Sequence, residues 1–254
     1  MFHRDIGREV SGMSELETLT RTWDSLGHSN PMWAILTTPE NRQHWDTDEF
    51  FRTGQQDIAT ELAYVESLGV ELRYGRALDF GCGLGRLTQP LADRFDEAVG
   101  VDIAASMIEG ARAANQRGSR CRFVLNERDD LSVFGDNEFD FIFSFLVLQH
   151  MPPPLAERYM REFVRILKPG GIAYFQMTEY SRNPVQRFLM KHAPVESAFW
   201  LLRHRRRPPF KMHGRDLDDI VAVIEGAGAH VVGVRSESYG RNFWLDHRIV
   251  LRKR

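Results

Sequence analysis

Three glycines at alternate positions punctuate Ala77-Leu78-Asp79-Phe80-Gly81-Cys82-Gly83-Leu84-Gly85-Arg86-Leu87. A short apolar run ends beside an acid, the backbone turns sharply where no Cβ obstructs it, and a helical pattern begins. A helix start presents free N–H groups to a polar ligand. Asp102 follows 21 residues after Gly81, at the end of the next apolar run. A carboxylate placed there can accept both hydroxyls of a ribose. Strand, glycine turn, helix, strand and acid together describe a site for an adenosine-containing ligand.

The spacing narrows the choice of ligand. A dinucleotide fingerprint needs glycines at G-x-G-x-x-G, but here the third falls one residue early and Arg86 fills the last slot. A side chain of that size obstructs close helix–strand packing. Asp79, just before the loop, would repel a pyrophosphate and would suit an amine. S-adenosylmethionine carries an α-amino group and no phosphate, so the charge pattern favours it over NAD.

The elements that must hold these groups alternate. Apolar runs at 77–80, 98–101, 122–125, 139–145 and 172–177 read as strands. Helical stretches near 86–95, 105–116 and 155–167 lie between them. The run Phe139-Asp140-Phe141-Ile142-Phe143-Ser144-Phe145 is nearly continuous in apolar residues, as in a strand covered on both faces. The alternation argues for an α/β, doubly wound, mostly parallel sheet. A helix over 214–228 precedes two strands, near 230–236 and 243–251, with no helix between them. These should pair as an antiparallel edge. Pro90 inside the 86–95 stretch marks a kink or a first turn. Residues 55–69 place Ile58, Leu62, Val65 and Leu68 at helical spacing.

Residues 1–54 carry Trp23, Trp33, Trp45, Phe50 and Phe51 among polar residues and read as an aromatic-rich cap, irregular to residue 53. Residues 55–254 form the ligand-binding domain, with an insertion at 179–213 that is far longer than a usual connection of ~2–6 residues. The net charge is −2, but it is a cancellation. Residues 182–215 hold nine Lys and Arg against the one acid Glu196, which leaves −10 elsewhere. Phe188, Leu189, Met190, Phe199, Trp200, Leu201 and Leu202 interleave with those cations. A basic, apolar segment suits an anionic or amphiphilic acceptor, or a peripheral contact with an anionic membrane surface.

Composition excludes several classes. A hydrophobic fraction of 43% and a charged fraction of 27% are those of a globular chain. Two cysteines, Cys82 and Cys121, cannot build a disulfide framework and read as small fillers in a reduced, cytoplasmic setting. No apolar run approaches the ~18 residues of a membrane span. The nine histidines show no metal-ligand spacing, so no metal is expected.

The chain resembles the class I S-adenosylmethionine-dependent methyltransferases. The motifs are LDFGCGLGRL at 78–87, GVDIAASMIEGAR at 100–112, Phe139-Asp140 through Leu148-Gln149-His150-Met151, and Arg165-Ile166-Leu167-Lys168-Pro169-Gly170-Gly171. The resemblance implies a seven-stranded Rossmann-like sheet of order 3-2-1-4-5-7-6 with an antiparallel strand 7. It also implies an N-terminal helical cap, an insertion after strand 5, and S-adenosyl-L-methionine as cofactor. By matching position, Gly81, Cys82, Gly83, Gly85 and Arg86 would line the methionine portion and Asp79 would face its amino end. Asp102 would hold the ribose, with Ile103 and Met107 against adenine. Asn126 takes the place where the family reads the adenine amino group, with Asp130 or Leu131 as alternatives. Phe145 would flank the transferred methyl. Trp45, Phe51 and Gly54 are candidate cofactor contacts from the cap.

Methyl transfer is an in-line displacement at a sulfonium, so proximity and alignment supply most of the rate. A hydroxyl acceptor also needs a base. His150, just past strand 4, is the leading base candidate and a further cofactor-side residue; His213 and Glu179 follow. Met151-Pro152-Pro153-Pro154 is not the Asn/Asp-Pro-Pro-Tyr pattern of planar-nitrogen methylation, so a DNA partner is not expected. The expected activity is methylation of an oxygen on a sugar, a lipid-linked or a secondary-metabolite small molecule. An N-methyltransferase, or a regulatory protein that binds the cofactor without turnover, are the alternatives.

Overall fold

The computed structural model describes residues 14–37, 45–180, 183, 185, 187, 188, 211–239 and 244–254. Seven strands form one sheet: β1 (Arg76–Phe80), β2 (Glu97–Asp102), β3 (Cys121–Leu125), β4 (Phe139–Ser144), β5 (Leu167–Tyr180), β6 (Ala229–Tyr239) and β7 (Trp244–Lys253). Their order is β3-β2-β1-β4-β5-β7-β6. The first five pair in parallel, while β7 runs antiparallel to both β5 and β6. The fold expected from the sequence is the fold observed.

Helices cover both faces. We label them α1 (Glu15–Ser29), α2 (Pro31–Ile35), α3 (Thr47–Ser67), α4 (Thr88–Ala92), α5 (Ala105–Ala113), α6 (Pro153–Ile166) and α7 (Leu217–Gly226). On one face Leu78, Ile142, Phe175 and Leu251 pack with Phe163 of α6 and Ile220 and Ile224 of α7. On the other, Phe141, Phe143, Tyr174 and Val250 pack with Ile58 and Leu62 of α3 and Leu91 of α4. Two burying faces explain why the strands carry runs rather than alternation.

Several boundaries differ from expectation for visible reasons. The segment after the glycine loop is helical only over Thr88–Ala92, with Pro90 at its third residue, where no helix acceptor is yet in reach for the missing N–H. Residues 83–87 are turns, so the loop and not a long helix meets the sheet edge. The described residues before 54, namely 14–37 and 45–53, are largely helical and not irregular. Ser14 and Glu17 form a reciprocal capping box that starts α1, and Asp46 caps α3 through the Glu49 N–H. Residue 54 lies inside α3, where a Cβ on Gly54 would strike the Arg86 carbonyl. β5 starts at Leu167 and reaches Tyr180, so the first residues assigned to the insertion belong to the strand. Most of 182–215 lies outside the described residues. Among the described residues no helix is long and apolar enough to cross a membrane.

Candidate functional site

A cleft opens above the C-terminal ends of β1, β2 and β4, where ligands bind in open α/β sheets. Together with the solvent at its open mouth it spans about 830 Å³, and its walls are mainly apolar. Its floor is Phe80, Gly81, Gly83, Val101 and Asp102, and its roof is Leu16, Leu19 and Trp23 of α1 with Ile35 of α2. The wall beyond β4 is Phe145, Leu146, Val147 and His150.

The floor is shaped by backbone conformation. Gly81 and Gly83 have φ of 76° and 51°, a left-handed geometry that glycine adopts without a Cβ penalty. Side chains there would also meet Val147 and Ile35, which line the same cleft. The Gly83 N–H donates to Asp102 Oδ2 at 2.8 Å, and the Ala104 N–H to Oδ1 at 2.9 Å. These bonds fix the carboxylate with backbone donors alone. Burial raises its pKa, and the N–H groups of Ala104, Gly83 and Ile103 pull it back down. A carboxylate has about four lone-pair positions, so these donors leave accepting capacity for a ligand.

Asn126 completes this half of the cleft. Its backbone N–H donates to the Asp102 carbonyl at 2.9 Å, and its side-chain amide to the Asp130 carbonyl at 2.7 Å. Its Oδ1 is buried with no partner in the protein and belongs to a cleft-lining residue. A buried acceptor left unmade costs about 1–3 kcal/mol, so it fits a ligand that donates, as an adenine amino group does. Ile103 and Met107 line the cleft beside it. Ribose-accepting carboxylate, orphan carbonyl and apolar walls together fit S-adenosylmethionine.

The structure brings together Gly81, Gly83, Asp102, Ile103, Met107, Asn126, Phe145 and His150 at this cleft. Other expected contacts lie elsewhere. Asp79 is buried beneath the loop, where Thr88 Oγ1 donates to it at 2.6 Å. Burial pushes its pKa up to about 7 against the pull of Thr88 and Arg86. Arg86, 1% exposed, points away into α3, with Nη1 on Asp57 at 2.6 Å and on Thr53 at 3.1 Å. It fastens the loop to α3, a use for the slot that dinucleotide binders keep small. Gly85 packs against Phe123 and Ala111. Cys82 is a buried filler whose pKa burial raises, and burial lifts Cys121 to about 12. Leu131 belongs to the core, and Asp130 caps the Ser132 N–H at 3.0 Å. Trp45, Phe51 and Gly54 stay within the cap and α3 and do not line the cleft.

His150 sits on the 3₁₀ turn Leu148–His150, its ring edge-on to Trp23 at 5.3 Å between centroids. A carbonyl can only accept, so Nδ1 donates to the Lys211 carbonyl at 3.2 Å, and neutral Nε2 accepts from the Gln149 amide at 3.1 Å. Burial lowers its pKa to about 4, which keeps the ring neutral at pH 7. His213 is not at the cleft; its N–H donates to the Gln149 carbonyl at 2.7 Å and its carbonyl accepts from Thr178 Oγ1 at 2.9 Å. Glu179 is not at the cleft either, being bonded to His247. Among the described residues no group of His, Cys, Asp or Glu could hold a metal ion.

The expected helical cap is present, but sequence reasoning did not place its first helix, α1, over the cleft. Leu16, Leu19 and Trp23 follow helical spacing and line the cleft. Asp24 then docks the helix on α5, its Oδ1 accepting from the Ser106 N–H at 2.9 Å. The signal was local: a Ser14-x-x-Glu17 box ahead of that stripe.

Residues 77–171 match the family described as "Methyltransferase domain". A ubiquinone biosynthesis O-methyltransferase from Cereibacter sphaeroides is 34% identical over 149 residues, 58% of this chain and 57% of that protein. A biotin biosynthesis bifunctional protein from Cellvibrio japonicus is 37% identical over 120 residues, 47% of this chain and 22% of that one. The chain thus spans less than two thirds of either relative. In fold it is similar to the magnesium protoporphyrin IX methyltransferase from Synechocystis with bound SAH, at a TM-score of 0.64 and 17% identity over 95% of this chain and 100% of that one. It is equally similar in fold to the [4+2]-cyclase SpnF, at 0.63 and 16% over 92% and 94%.

Proposed function

We propose that this chain, whose residues 77–171 match a methyltransferase domain, is a class I S-adenosylmethionine-dependent methyltransferase that transfers a methyl group from S-adenosylmethionine to an oxygen of a small-molecule acceptor. The observation that carries the reading is the pairing of a backbone-held Asp102 with the orphan Asn126 carbonyl across one apolar cleft. Gly81, Gly83, Asp102, Ile103, Met107 and Asn126 would hold the cofactor, which supplies an electrophilic methyl on a sulfonium when bound. Held carboxylate and held carbonyl fix its adenosine end, so the methyl is aligned by the rigid sheet edge. Such alignment is worth ~7–11 kcal/mol of barrier.

Phe145, Leu146 and Val147 exclude water from the acceptor end. His150 is the proposed base. It is neutral at working pH, and it takes the acceptor proton on Nε2 by exchanging the Gln149 amide for the acceptor hydroxyl, while the Lys211 carbonyl keeps Nδ1 protonated. The low pKa makes it a weak base, so proton transfer completes late, as the methyl–oxygen bond forms. The O-methyltransferase relative supports oxygen as acceptor atom. The basic segment 182–215 supports an anionic or amphiphilic acceptor.

The test is an acceptor screen read as S-adenosylhomocysteine formed, with phenolic, sugar and amine acceptors in parallel. Oxygen acceptors should turn over. Amine-only turnover reassigns the atom, and cofactor binding without any turnover points to a regulatory protein. With the acceptor in hand, His150→Ala should lower kcat by about 10²-fold while cofactor affinity by calorimetry stays within about twofold. Retained turnover removes His150 from the base role.

A further inference from the structure

The molecule holds a second array of groups that the cleft does not use. Ser236 on β6 is the register partner of His247 on β7, and His247 is in turn the partner of Met177 on β5. Glu179 lies two residues beyond Met177 on the same strand face. The three side chains therefore cross three adjacent strands on the face that α7 covers. Ser236 Oγ is 2.8 Å from His247 Nδ1, and His247 Nε2 is 2.9 Å from Glu179 Oε2.

The protonation pattern follows from the partners. A carboxylate only accepts, so Nε2 carries the ring proton and donates it to Glu179. In the neutral ring Nδ1 then has a lone pair that can accept from the Ser236 hydroxyl. His247 is fully buried while Ser236 is exposed, so the activated oxygen is the member that meets solvent. Glu179 Oε1 also accepts from Arg187 Nη1 at 3.4 Å, and Arg187 reaches Asp216 at the start of α7. The carboxylate is thereby held in place behind the ring. None of the three residues lines the cleft.

We infer that Ser236, His247 and Glu179 form a second, nucleophilic site that takes activated acyl esters. A hydroxyl, a ring that accepts its proton and a carboxylate that orients the ring are the parts of an acyl-transfer nucleophile. The two ring nitrogens are exchanged relative to the serine-protease arrangement, but the roles need only one accepting and one donating nitrogen on opposite sides of the ring. Ser236 Oγ bonds to the acyl carbon and the ester C–O bond breaks. The hydroxyl proton passes to Nδ1 and then to the departing oxygen. Strands hold all three residues, so the geometry is fixed before the ester arrives.

The probe is p-nitrophenyl acetate with the full chain. The inference expects a burst of about one nitrophenolate per chain and an acetyl group on Ser236 by peptide mass spectrometry. Ser236→Ala should abolish the burst and leave cofactor affinity unchanged. Glu179→Gln should slow acylation at least tenfold, because its amide would donate to Nε2 and move the ring proton to Nδ1. The wild-type rate should rise with pH and then level off. Unmodified Ser236, or a rate that climbs with hydroxide and has no plateau, overturns the site. So does an undiminished rate in a Glu179→Gln chain that still binds cofactor. The pH profile decides the matter if that variant does not fold.

Discussion

The two ends of the sheet hold buried charge in different ways. At the β1–β2 end, Asp102 is held by backbone N–H groups of Gly83 and Ala104 and keeps lone pairs for a ligand. At the β5–β7–β6 end, Glu61 of α3 is consumed by side chains. It accepts from Tyr174 at 2.6 Å, Arg235 at 2.7 Å and Arg248 at 2.5 Å. Arg248 also lies over the Phe145 ring at 5.4 Å, which joins this network to the cleft wall. Backbone-held charge is free to bind; side-chain-held charge ties a helix to a sheet. The difference supports the proposal that one end recognises the cofactor, while the other gives cohesion.

The largest effect should come from breaking the cohesive end. Removing one partner of a buried ionic cluster costs about 3–5 kcal/mol. The partial exposure of Arg235 and Arg248 places Glu61→Ala near the lower figure. Thermal denaturation should show a Tm lowered by roughly 6–12 °C, with cofactor affinity within about twofold below the transition. A variant that keeps its Tm but loses cofactor would reverse the two assignments.

A smaller effect sharpens the recognising end. Asn126→Leu should weaken cofactor binding by about 1–2 kcal/mol, some tenfold in Kd by calorimetry, with little change in Tm. A large fall in Tm at constant affinity would make Asn126 a structural residue only.

The smallest effect appears as a pH dependence. Asp79 has its pKa raised to about 7, so between about pH 4 and 7 the folded chain binds a proton that the unfolded chain has released. Its contribution to stability therefore falls as pH rises through that window. His150 and His213, both lowered to about 4, act in the opposite sense and cost stability as pH falls from 6.5 towards 4. Asp79→Asn should gain a few degrees of Tm relative to the parent between pH 4 and 7. A Tm difference that does not vary with pH would place the titration elsewhere.

Legibility in the sequence follows the same division. The glycine loop, Asp102 and Asn126 lie within 46 residues and sit at ends of strands that the apolar runs mark; local pattern singled out the loop and Asp102, and the family resemblance singled out Asn126. The edge hairpin was legible because no helix separates its strands. Arg86 and Asp79 were misplaced because their partners, Asp57 and Thr88, are chosen by packing of α3 and α4 on the loop. Glu61, Arg235 and Arg248 span 187 positions, and the Ser236–His247–Glu179 array depends on register across three strands. Neither leaves a motif, because side chains meet across a sheet only after pairing sets which residues stand opposite.

The β1–β2 end is proposed as a cofactor site organised by one carboxylate, Asp102. Calorimetric titration of S-adenosylhomocysteine into the parent chain and into Asp102→Ala tests it most directly. The account predicts one site per chain in the parent and a loss of roughly 2–3 kcal/mol, about 30- to 150-fold in Kd, in the variant. No binding by the parent, or equal affinity in a folded variant, would contradict it.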